Sequence, residues 1–120
     1  MIEIMEQSEG SLLAVRFTGT LTADDYTDVW IPACEKVIAG HGKLRVLMYM
    51  DETFEGWEAA VVWEDTKFGL KNLGHFEKIA VVGGPGWIGK LSEMFGSIVP
   101  GLAVKAFPTG ELEEAQSWIL

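Results

Sequence analysis

At 120 residues the chain has room for one domain, and 48% hydrophobic residues is enough for a packed core, which excludes disorder. Eighteen acidic against nine basic side chains leave a net charge of −9 with no basic run, which excludes nucleic acid and anionic membrane surfaces because phosphate binding needs clustered Lys and Arg. The single cysteine, Cys34, excludes an intramolecular disulfide and a cysteine-built metal site.

In chain order, Ile2 to Met5 and Leu12 to Phe17 are apolar runs flanking a polar connection that ends Glu9-Gly10-Ser11, the pattern of a β-hairpin. This start lacks the basic segment and long apolar run of a signal peptide. Thr22, three residues before Asp25, makes a capping-box-like helix start. Tyr26, Val29, Trp30, Ala33, Val37 and Ile38 recur at helical spacing, and Gly40 is placed to end this helix. Pro32 cannot donate to the carbonyl of Asp28, which predicts a kink.

Leu44 to Met50 is nearly continuous in apolar residues and stops at Asp51, as a doubly covered parallel strand does. A long helix is expected over roughly 57–73, stopped by Gly74. Ile79 to Val82 is a second buried-strand run and leads into Gly83-Gly84-Pro85-Gly86. Ile88, Leu91, Met94, Phe95 and Ile98 form one apolar face of a third helix. Leu102, Val104 and Ala106 alternate with Ala103, Lys105 and Phe107, which suits a strand nearer the sheet edge. Thr109 is placed to cap a last helix with Glu111 and Glu113 in its first turn and Leu112, Ala115 and Ile119 facing the core.

The order β-β-α-β-α-β-α-β-α predicts an α/β fold: a mostly parallel five-stranded sheet with an N-terminal hairpin and four helices, in one domain over 1–120. No apolar stretch reaches the ~18 residues that span a bilayer, so stable membrane insertion is not expected and a cytoplasmic setting is.

Ligands of open α/β sheets settle beyond the carboxyl ends of the strands. Those ends carry Asp51-Glu52-Thr53, the segment Gly83 to Trp87, and Phe107-Pro108-Thr109. Gly84, Gly86 and Gly89 match G-x-G-x-x-G, and Gly84 to Lys90 matches G-x4-G-K, a phosphate- or nucleotide-binding pattern. Leu91, however, stands where a P-loop has its Mg²⁺-binding hydroxyl, and Pro85 removes a backbone donor. Asp24-Asp25, Asp51 and Lys105 imitate a phospho-accepting receiver domain, but Gly83-Gly84 replaces the hydroxyl residue such a site needs.

His41 and His75 have no metal-ligand spacing, so no metal or cofactor is expected. Cys34 lies mid-helix and reads as a small buried hydrophobe. Glu64-Asp65 diverge by ~100° on a helix and read as solvated. No catalytic constellation emerges, and the chain is not expected to be an enzyme. The second helix carries two apolar stripes: Ala59, Val62, Trp63, Leu70 and Leu73 on one side, and Trp57, Val61 and Phe68 opposite with Glu64 beside them. A helix on a sheet needs one such face. The second is covered by neighbouring helices, or serves a homodimer contact or the wall of an apolar pocket.

Phe54-Glu55-Gly56-Trp57, Trp63-Glu64-Asp65, Ile79 to Gly83 with Trp87 behind, Val104 to Phe107, and Glu114 to Trp118 together resemble the SpoIIAA-like family of small bacterial proteins. Thr18 to Tyr26 looks like that family's entry into its first helix. The resemblance spans almost the whole chain and implies a STAS-like fold related to lipid-carrying CRAL-TRIO domains, in a regulatory or ligand-sensing role. In the anti-sigma-factor antagonists of this kind, a serine after an Asp at the central strand's end is phosphorylated. Here Asp51 matches that Asp, and Glu52-Thr53-Phe54 replaces Ser-Ser-Gly, which puts the phospho-acceptor at Thr53 or makes Glu52 a fixed negative charge.

The expected function is a non-enzymatic regulatory or interaction module that forms homodimers or meets another regulatory protein. The rival is a carrier or sensor of a small apolar or amphipathic ligand, and a third reading is a phosphate- or nucleotide-binding protein using the loop from Gly83 to Lys90. Asp51, Glu52, Trp57, Val61, Phe68, Gly84 and Trp87 are the candidate ligand or interface residues.

Overall fold

A computed structural model describes residues 1–120 apart from Gln7 and the side chains of Val62, Thr66, Leu70, Trp87 and Phe95. The chain runs β1 (Ile2–Ile4), β2 (Leu12–Phe17), β3 (Thr20–Leu21), α1 (Ala23–Asp25), a π-helical turn (Tyr26–Trp30) and α2 (Ile31–His41). Next come β4 (Leu44–Met50), β5 (Gly56–Trp57), α3 (Ala59–Lys71) and a 3₁₀ turn (Leu73–His75). It ends with β6 (Phe76–Gly83), α4 (Gly86–Ile98), β7 (Ala103–Phe107), a second 3₁₀ turn (Thr109–Glu111) and α5 (Leu112–Ile119).

β1, β2, β4, β6 and β7 form the five-stranded sheet in that spatial order, with β1 antiparallel to β2 and the remaining pairs parallel. Since α1, the π turn and α2 follow without a break, four helices cover the sheet among the described residues. The register aligns Leu13, Val46, Ile79 and Val104 in one row across four strands, so each face presents continuous apolar rows. One face packs Val15, Val46 and Val81 against α2, α3 and α4 through Cys34, Val61 and Ile88. The opposite face packs Ala14, Leu47 and Val82 against Ala115 and Ile119 of α5.

Several local expectations change. The capping box forms as expected, Thr22 accepting from the Asp25 N–H and the Asp25 carboxylate from the Thr22 N–H. The irregularity tied to Pro32 is a π turn: the Ile31 N–H reaches back five residues to the Tyr26 carbonyl, and Pro32 falls in the first turn of α2, where a missing donor costs least. Gly42, at φ 74°, ends that helix in place of Gly40, because the left-handed cap position favours glycine. Thr109 does not cap α5. The chain first makes a 3₁₀ turn, and no side chain bonds the α5 start.

The largest difference is at Trp57. It was expected on the helix, but Gly56–Trp57 pairs in parallel with Thr20–Leu21 as a second, two-stranded sheet, and α3 begins only at Ala59. Glu58 keeps extended backbone, and its N–H bonds to the Leu21 carbonyl, so the helix cannot start earlier.

Candidate functional site

α3 and α4 flank a hollow over the first face of the sheet. Its floor is built from the inward residues of the strands, among them Val46, Met48, Ile79, Val81 and Val104. The cavity measures about 530 Å³, inside the ~300–1,000 Å³ range of small-molecule sites. The π turn contributes Tyr26 and Trp30, β5 contributes Trp57, and Phe17, Phe68 and Phe76 complete an aromatic wall.

The α3 wall is Val61, Asp65, Phe68, Gly69 and Leu73, a spacing that keeps one helix face turned inward. Asp65, read from sequence as solvated, is therefore the one carboxylate among the described residues of the cavity wall. The diverging neighbour is Glu64, which pairs with Lys67 at 3.1 Å on the outer side. Asp65 is hemmed in by protein while much of its surface stays uncovered, as expected of a group facing a hollow. The lost bulk water raises its carboxyl above the usual carboxylate range, against a hydrogen bond from the Tyr26 hydroxyl. Burial, and then the neighbouring Asp65, push the Tyr26 phenol up. Beside this pair, the indole N–H of buried Trp30 finds no hydrogen-bond partner among the described residues.

At the strand tips, Asp51 is 6% exposed and fully engaged. Its Oδ1 accepts from the Thr53 hydroxyl at 2.6 Å and the Thr53 N–H at 2.9 Å. Its Oδ2 takes the Arg16 guanidinium, with Nε at 2.8 Å and an Nη at 2.6 Å. Bonding from Thr53 first, and then from Arg16, holds the Asp51 carboxyl below the usual range despite burial. The cluster ties β2 to the loop after β4, while Glu52 and Thr53 lie at the surface.

The glycine loop is a packing device. A Cβ on Gly83, at φ 78°, would stand 2.4 Å from the Met50 carbonyl oxygen, and one on Gly84 would stand 2.7 Å from the Met50 sulfur. Gly84 is itself exposed. The Trp87 side chain lies outside the described residues. α4 rests on β7 through Gly89 and Gly96, whose Cβ positions fall 2.8 Å from the Ala106 Cβ and 2.5 Å from a Val104 methyl. Of the apolar face of this helix, Ile88 is buried in the core, whereas Leu91, Met94 and Ile98 are 57–72% exposed.

Cys34 is completely buried, and burial raises its thiol. Among the described residues, no three His, Cys, Asp or Glu side chains converge as a metal site, and no helix is long and apolar enough to cross a membrane.

The family model described as SpoIIAA-like matches residues 12–120. The chain belongs to the SpoIIAA-like family. A crystal structure of an uncharacterised protein of the DUF3478 family with a SpoIIAA-like fold, from Shewanella loihica PV-4, is 25% identical. It superposes with a TM-score of 0.74 over 100% of this chain and 93% of that one. No curated protein matches.

Within this SpoIIAA-like chain the candidate residues divide into two places. Asp51, Glu52, Thr53 and Gly84 gather at the strand tips, where hydrogen bonding and packing account for Asp51 and Gly84. Trp57, Val61 and Phe68 wall the cavity, and Val61 and Phe68 are buried by their own chain at 2% and 7% exposure. The stripe thought to be spare is thus the inner face of α3, and Trp63, on the other stripe, is 63% exposed. Asp65, Tyr26 and Trp30 were missed as a group. The available signal was that Asp65 follows Val61 by four and precedes Phe68 by three, a core position for a helix.

Proposed function

We propose that this chain is a non-enzymatic ligand-binding regulatory module that holds a small, largely apolar molecule between its sheet and the helices α3 and α4. The cavity of about 530 Å³ carries this reading: close-packed interiors do not leave such volume unfilled without use, and its wall is apolar apart from a few convergent polar groups. A regulatory output is supported by α4, where Leu91 both lines the cavity and stands 57% exposed, next to the outer surface.

The test is saturable, one-to-one binding of the neutral apolar dye N-phenylnaphthylamine, with a matching mass adduct under native conditions. Absence of both signals at millimolar dye sinks the reading. Self-association is a second reading, favoured by the exposed stripe of Leu91, Met94 and Ile98. It predicts a solution mass near twice 13.2 kDa that falls to one copy on Met94→Lys.

A further inference from the structure

Resting on the cavity as the binding site, we infer that the ligand is an amphipathic amine whose protonated nitrogen meets the Asp65 carboxylate while its apolar body fills the aromatic chamber. Among its described lining residues the cavity has one carboxylate and no Lys, Arg or His. Among the described residues, Asp65 has the Tyr26 hydroxyl as a partner and takes part in no ion pair.

An acid in an apolar hollow with no counter-charge is an expensive arrangement, and an incoming cation relieves it. The rings of Tyr26, Trp30, Trp57 and Phe68 also line the chamber, and the face of an aromatic ring attracts positive charge. The net charge of −9 concentrates cations around the molecule and disfavours anions. A carboxylate-headed lipid of equal length would instead bring a second negative charge beside Asp65 with nothing to neutralise it.

Three probes of equal chain length separate the cases at neutral pH: decylamine, decanol and decanoate, followed by quenching of the chain's tryptophan fluorescence and by calorimetry. The expected order is decylamine at least about tenfold tighter than decanol, with decanoate weakest, since one desolvated charge pair is worth that much or more. Asp65→Asn removes the preference, weakening decylamine about tenfold and leaving decanol within about threefold, so decanol binding doubles as proof of an intact cavity. Gly69→Leu, which takes up part of the cavity, weakens all three.

If decanol or decanoate matches decylamine on the unsubstituted chain, the amine assignment is overturned and the cavity stands. Decylamine binding that Gly69→Leu leaves undiminished is surface binding and also overturns it. If no probe binds, the cavity reading itself falls.

Discussion

Gly69 offers a substitution in which stability and binding move in opposite directions. It lies inside α3 with helical backbone, borders the cavity, and a Cβ added there meets nothing within 4 Å. Glycine within a helix costs about 0.5–1 kcal/mol relative to alanine, so Gly69→Ala stabilises the chain by about that amount. For a chain of this size that is a rise in Tm of roughly 2–6 °C.

Leucine at the same position has nearly the helix propensity of alanine and adds buried apolar surface. Full burial of such a side chain is worth about 1.5–3 kcal/mol against about 0.5–1 kcal/mol of lost rotamer freedom. Gly69→Leu is therefore expected to be about 1–3 kcal/mol more stable than the original. It also consumes volume: deleting one core leucine opens a hole of about 150 Å³, so adding one removes a comparable share of the 530 Å³. Thermal unfolding followed by circular dichroism, beside dye titration, reads both effects. A lower Tm for Gly69→Leu, or dye affinity unchanged within twofold, refutes the reasoning that this face of α3 borders empty space.

Gly96→Ala should do the reverse of Gly69→Ala: its Cβ would lie 2.5 Å from a Val104 methyl, and overpacking of about 1–3 kcal/mol outweighs the gain in helix propensity, seen as a lower urea midpoint. Asp51 has a depressed carboxyl, so its stabilising contribution is present above the unfolded value of about 3.9 and is lost as pH falls through the folded value. Urea midpoints measured from pH 5 downward should fall, and Asp51→Asn should flatten that slope. Asp65 has the opposite sign: its carboxyl is raised, so its contribution is present below the unfolded value and lost as pH rises through the folded one. Asp65→Asn should therefore gain stability relative to the original on going from pH 4 to pH 7, and an equal change at both would contradict the desolvation at that site. Met94→Lys, on the exposed stripe of α4, should change stability by less than about 0.5 kcal/mol while reducing any self-association measured by light scattering.

How far the sequence carries is best judged residue by residue. The strand assignments held because β2, β4 and β6 are apolar on both faces, a pattern that depends on residues adjacent in the chain. The Thr22–Asp25 capping box held for the same reason, since both partners lie within one helical turn. The errors lie where a distant segment decides. Trp57 belongs to a strand because Thr20–Leu21 offers its backbone a partner, a contact across more than thirty residues of chain that no local period encodes. The exposure of Leu91, Met94 and Ile98 could not be read from the apolar spacing of α4, because Gly89 and Gly96 let the backbone sit against Val104 and Ala106.

The amino-acid order by itself determined the succession of elements, the strand cores, the helix start at Thr22 and the absence of a basic surface, all of which follow from periodicity and charge within short windows. Only the folded chain decided that α3 and α4 stand apart over the sheet, and that Asp65 looks into the space between them. That placement depends on the summed contacts of four strands and two helices, and a hollow is a property of where side chains fail to meet, which no single stretch of residues specifies.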